Sequence, residues 1–175
     1  MQHSFSTAFL AIVLLSVGLW SCSGPGEAHT YRAENVEVVL TGPLLEGPNT
    51  GQIALEIDLA SALGAAYTPD TKVTGAQLLQ AEVLAGDSVG FDSVRSLVLS
   101  FASDNADVPM QEAAFLNPVP AGSDRVALEV APEAQLGKLV AEGKLYLVLD
   151  ADFAADYWDG DRRFLVNFEL SITAK

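Results

Sequence analysis

The chain has 175 residues, with 23 acidic and nine basic side chains, a formal charge of −14 near neutral pH, one cysteine and two histidines. That excess of negative charge argues against nucleic acid and other phosphate-rich partners, which require a basic stripe. A single thiol excludes an internal disulfide, and so little His and Cys leaves no material for a thiol nucleophile, a serine-type triad or a zinc site in a folded domain.

The first patterned stretch is Ala8 to Cys22, AFLAIVLLSVGLWSC. Its apolar run of roughly a dozen residues suits an export signal and falls short of the about 20 residues that a membrane span needs. The run closes on Leu19-Trp20-Ser21-Cys22, which resembles the lipobox of bacterial lipoproteins. The resemblance implies that residues 1–21 are a signal peptide, that Cys22 becomes the mature N-terminus, and that its sulfur takes a diacylglyceryl group. It also implies a place in the cell envelope, on a bacterial membrane facing the periplasm or the exterior. With about 0.8 kcal/mol per buried methylene, two or three acyl chains make a stable anchor. An ordinary secretory signal cut nearby and an uncleaved short anchor are the alternatives. Residues 22–32, rich in Gly, Ser and Pro at their start, read as a flexible tether in which His29 is solvated. Residues 33–175 then form one domain, large enough to bury a core that stands without cross-links.

From Asn35 onward the pattern has period two, broken by turn residues, which predicts half-buried strands. Val36, Val38 and Leu40 share one face, and Ile53, Leu55, Ile57 and Leu59 share the next. Asp58 is placed to cap a short helical turn carrying Leu59, Ala62 and Leu63. After Thr68-Pro69-Asp70 an extended segment from Lys72 is apolar on both faces in part, as for a strand covered on both sides. Arg95, Leu97, Leu99 and Phe101 form one row of a further strand, and Ala113 to Leu116 a shorter one. Val126, Leu128 and Val130 make another. In PEAQLGKLVAEGK the period changes: Leu136, Leu139 and Val140 suit one helical face, with Pro132 and Glu133 in the first turn and Gly143 as the stop. LYLVLDAD is apolar on both faces and reads as a buried strand. In the last segment Phe164, Val166, Phe168, Leu170 and Ile172 face inward, while Leu165, Asn167, Glu169, Ser171 and Thr173 face water.

Roughly seven to nine short strands with almost no helix predict an all-β fold: an antiparallel β-sandwich, immunoglobulin-like or jelly-roll-like, with one short helix. A small β-barrel is the alternative.

The densest set of chemically capable side chains is Asp150, Asp152, Asp156, Asp159 and Asp161 in DADFAADYWDGD. Hard cations take several oxygen ligands, so these aspartates are candidate calcium ligands, although their spacing departs from the EF-hand loop and Arg162 and Arg163 stand ready to neutralise them. Tyr157 and Trp158 in the same loop are a candidate stacking platform for a ligand, unless the rings fold down and plug the end of the sandwich. The sequence therefore points to a lipid-anchored, monomeric envelope protein with a non-enzymatic binding or structural role. Its partner is a protein or a polysaccharide, and no cofactor is expected beyond calcium. A carbohydrate- or calcium-dependent adhesin or accessory module is the first alternative, and a carboxylate-based hydrolase the second.

Overall fold

The computed structural model describes residues 26–175, and the apolar run expected to be a signal peptide, with Cys22, lies outside them. The described chain forms two antiparallel sheets packed face to face, with apolar rows from both inner faces filling the space between them. One sheet has the order β1 (Glu27–Leu40), β9 (Arg162–Ala174), β3 (Val73–Ala85), β6 (Arg125–Ala127). The other has the order β2 (Gly47–Glu56), β8 (Lys144–Phe153), β4 (Val94–Ala102), β5 (Gln111–Leu116), β7 (Glu129–Val130). The pairs β1 with β9, β2 with β8, β3 with β6 and β4 with β5 are those of one long hairpin rolled across two sheets, the jelly-roll arrangement. The two sheets do not close into a barrel.

The interior is built from the strands that the alternation marked. On β9 the inward row runs from Phe164 through Ile172, and every member is buried. On β8, central in its sheet, Leu145, Leu147, Leu149, Ala151 and Phe153 are fully buried. Phe101 of β4 meets Phe168 of β9 edge-on, with centroids 5.4 Å apart, and so ties the two sheets together. Such a contact adds about 0.5 to 1.5 kcal/mol to the burial of the rings themselves. Helix α1 (Leu59–Leu63) forms where Asp58 caps it, its carboxylate accepting from the Ala60 and Ser61 amides.

Several expectations are corrected by the fold. Residues 27–32 are the first half of β1 and not part of a tether, paired with β9 from Glu27 opposite Ala174 to Arg32 opposite Glu169. His29 lies half-buried on this strand, opposite Ile172. Backbone bonds to β9 hold this edge, so small and polar residues suffice and leave only a faint period. The mixed pattern of β3 comes from a β-bulge between Leu78 and Gln80, not from cover on both sides. One extra residue moves the inward row from Ala76 and Leu78 to Ala81 and Val83 and leaves Leu79 half exposed. A similar shift between Val94 and Ser96 buries Val94 and turns Arg95 outward. The segment Val126 to Val130 divides: β6 pairs with β3 in one sheet and β7 with β5 in the other. The expected helix over Pro132 to Gly143 contracts to α2 (Gly137–Ala141), ended by Gly143 with φ 73°. The described residues thus hold α2 as the one short helix expected, α1 where a helical turn capped by Asp58 was expected, and a 3-10 turn at Gly64–Ala66.

Candidate functional site

The five aspartates of the β8–β9 connection occupy one end of the sandwich, but the pleat and the loop send them to different partners. Asp150 and Asp152 leave β8 on its outer face, because Leu149, Ala151 and Phe153 fill the inner one. Asp150 accepts from the Thr50 hydroxyl on β2. Asp152 lies 3.7 Å from Arg95 Nε, and its Oδ1 is buried without a hydrogen bond. Arg95 directs its other nitrogen to Glu46 Oε1 and the Phe153 carbonyl, both at 2.8 Å. Asp156 and Asp161 fasten the segment between β1 and β2 by accepting from the Glu46 amide at 2.8 Å and the Gly42 amide at 2.9 Å. Asp159 stays exposed. Among the described residues no group of three or more Asp, Glu, His or Cys converges on a point where a cation would sit. Three of the five aspartates thus accept from three different residues, Asp150 from Thr50, Asp156 from Glu46 and Asp161 from Gly42, while Asp152 faces Arg95 and Asp159 is exposed.

The two aromatics of the loop part company. Tyr157 exchanges both backbone hydrogen bonds with Leu44, at 3.0 and 2.8 Å, and packs half-buried against the core. Trp158 is 66% exposed and is left for solvent or a ligand. Of the pair, Tyr157 folds down onto the core and Trp158 does not.

The strongest electrostatic feature here is an arginine turned inward, expected to pair with the aspartates of the run. Arg162 opens β9 with no exposed surface. Its Nε donates to Asp87 Oδ2 at 2.8 Å, one terminal nitrogen to the Gly90 carbonyl at 2.6 Å, and the other to Ser93 Oγ at 3.3 Å. The guanidinium carbon lies 5.1 Å from the Tyr157 ring centre, 5.5 Å from Phe164 and 5.7 Å from Phe153. A planar, permanently charged fork suits such a site, since several acceptors and π faces compensate its loss of water. The signal was present in the alternation: Arg162 is in phase with Phe164 and Val166 and belongs to the inward row. The nearby aspartates of the run do not neutralise it, because Asp87 does. Each of its three nitrogens donates within the protein and the side chain is fully buried, so it holds the β3–β4 loop in place and presents no surface to a ligand.

No protein-family model and no curated protein matches the chain. Among solved structures it is similar to a chain of the Triatoma virus empty capsid, at 14% identity, over 83% of this chain and 89% of that one, with a TM-score of 0.34. A likeness that loose carries no argument about this protein.

Proposed function

We propose that this chain is a lipid-anchored protein of the bacterial cell envelope, in which an acidic β-sandwich serves a non-enzymatic binding or structural role. The observation that carries the reading is Leu19-Trp20-Ser21-Cys22 at the end of an apolar run, with the only cysteine of the chain in the position that lipid transfer requires. On this reading only residues 23–26 separate the lipid from β1, a reach of at most about 14 Å. The end of the sandwich where Glu27 meets Ala174 and where Lys72 and Lys175 exchange backbone hydrogen bonds then faces the bilayer. Trp158 and the aspartate loop lie at the other end of β9, about 40 Å away along 13 residues of strand, and so point away from the bilayer.

The test is metabolic labelling of the full-length chain in a bacterial host with an alkyne-tagged fatty acid. The wild-type protein is expected to take the label, enter the detergent phase and resist extraction by high salt, which screens electrostatic adhesion within about 3 Å at 1 M. Cys22→Ser removes the thiol on which acyl transfer depends, and a hydroxyl is a far weaker nucleophile near neutral pH, so the label is lost and the precursor stays uncut. Recovery of the wild-type chain free of lipid, beginning at Ser23 or later, would overturn the anchor.

A further inference from the structure

Two concavities open on the four-stranded sheet, and their hydrogen-bonding states differ. The smaller, about 430 Å³, lies over the bulges of β1 and β3. Its polar side chains satisfy one another: Glu169 accepts from Arg32 and Gln80, and Glu82 accepts from Asn167 and Arg125. A ligand there would have to displace bonds already made.

The larger concavity, about 860 Å³, runs between the first half of β3, the C-terminal end of β9, the segment leading into β5 and the turn carrying α2. Its floor is made by Gly75, where a Cβ would meet only Thr173 at 3.9 Å. Apart from Thr74 and Gln111, which bond to nearby backbone, its polar side chains, Gln77, Gln135, Lys138, Glu133, Ser171 and Thr173, form no hydrogen bond or ion pair among the described residues. Amides and hydroxyls offer donors and acceptors side by side, with one cation and one carboxylate.

We infer that this groove binds a neutral, polyhydroxylated ligand, a short stretch of saccharide. Each sugar hydroxyl both donates and accepts, which matches the mixed lining. An acyl chain would strip water from the same groups without replacing its hydrogen bonds. A polyanion would meet one lysine, Glu133 and a chain of net charge −14. An extended peptide would find the edge of β3 obstructed at Gly75 and Ala76, since the Leu136 amide already donates to the Ala76 carbonyl at 3.1 Å and Gly137 packs directly on the Gly75 backbone. The volume falls within the range of small-ligand clefts. The inference gives the proposed binding role a ligand class and does not depend on the anchor, so the lipid label and saccharide binding fail independently.

The test is saturation-transfer NMR on the full-length protein in detergent micelles, with neutral trisaccharides of glucose, galactose, mannose and N-acetylglucosamine as probes. At least one is expected to bind saturably. Gln77→Ala with Gln135→Ala, and separately Gly75→Leu, whose Cβ would meet only Thr173 at 3.9 Å, are expected to weaken that binding by about tenfold or more. Gln80→Ala, in the smaller concavity, and Trp158→Ala are expected to leave it unchanged, and amide spectra of all variants should keep the wild-type dispersion. Absence of saturable binding by every probe at about 10 mM, binding that survives both groove variants, or binding lost in Trp158→Ala alone would overturn the assignment.

Discussion

Arg162 and Asp87 join the start of β9 to the loop after β3 through a 2.8 Å contact made by a guanidinium with no exposed surface. Removing the guanidinium leaves Asp87, 26% exposed, without its counter-charge and the Gly90 carbonyl without a donor, at a cost of about 3 kcal/mol, the lower end for buried pairs. Arg162→Met is therefore expected to lower the melting temperature by about 10 °C, at roughly 2 to 4 °C per kcal/mol for a domain of this size. Arg162→Lys should fall between the two, since one ammonium cannot reproduce a fork that reaches Asp87, Ser93 and Gly90 at once. Arg162→Met combined with Asp87→Ala should cost less than the sum of the single changes, as thermal unfolding of the four proteins would show. Additive losses would mean that the pair is not coupled.

Phe168 and Glu169 are neighbours on β9 with opposite surroundings. Phe168 is 3% exposed between Phe101 and Tyr31, so Phe168→Ala should cost about 3 to 5 kcal/mol. Glu169 faces outward but holds Arg32 at 3.1 Å and Gln80 at 2.9 Å, so Glu169→Ala should cost about 1 kcal/mol and not zero. Denaturant unfolding distinguishes the two, and equal midpoints would place β9 in the wrong register.

Gly51 of β2 is buried where the edges of the two sheets meet. A Cβ there would lie 2.7 Å from the Val39 carbonyl oxygen and 2.9 Å from side-chain carbons of Val38 and Leu40. Because one of these atoms is backbone, Gly51→Ala is expected to destabilise the domain by about 1 to 3 kcal/mol. Gly47→Ala on the same strand meets no atom and tests the strain of φ 102° alone. Retention of wild-type stability in Gly51→Ala would show that β1 and β2 separate freely at this point.

The Asp58 carboxyl titrates below its ordinary value, chiefly because it accepts from the Ser61 hydroxyl and also from the Ser61 and Ala60 amides. A depressed carboxyl contributes stability above its unfolded pKa and loses it as pH falls through the folded value. Helix α1 should therefore keep its cap at neutral pH and fray only at acid pH, below the ordinary aspartate range. The amide shifts of Ala60 and Ser61 followed against pH provide the measurement. In Asp58→Ala those shifts should be frayed at every pH and show no titration.

Where local pattern and final burial obey the same rule, the sequence sufficed: the long alternation of β9, the core of β8, the cap at Asp58 and the class of fold are all legible in order along the chain. These depend on residues two to four positions apart, the range over which a strand's pleat or a helix's first turn repeats. The bulges of β3 and β4, the polar first half of β1 and the division of Val126 to Val130 between two sheets were decided by partner strands far along the chain, through backbone bonds that carry no side-chain signal. The aspartate run shows the same limit. Five carboxylates close in sequence were sorted by the pleat and by the backbone amides of Gly42 and Glu46, more than 100 residues earlier. Arg162 was in the inward register by its position alone, but a buried charge is stable only where a counter-charge waits, and Asp87 stands 75 residues away. Only the tertiary fold could bring that carboxylate, a carbonyl, a hydroxyl and three aromatic rings around one guanidinium, because the energy that holds it inside belongs to the set and to no segment of it.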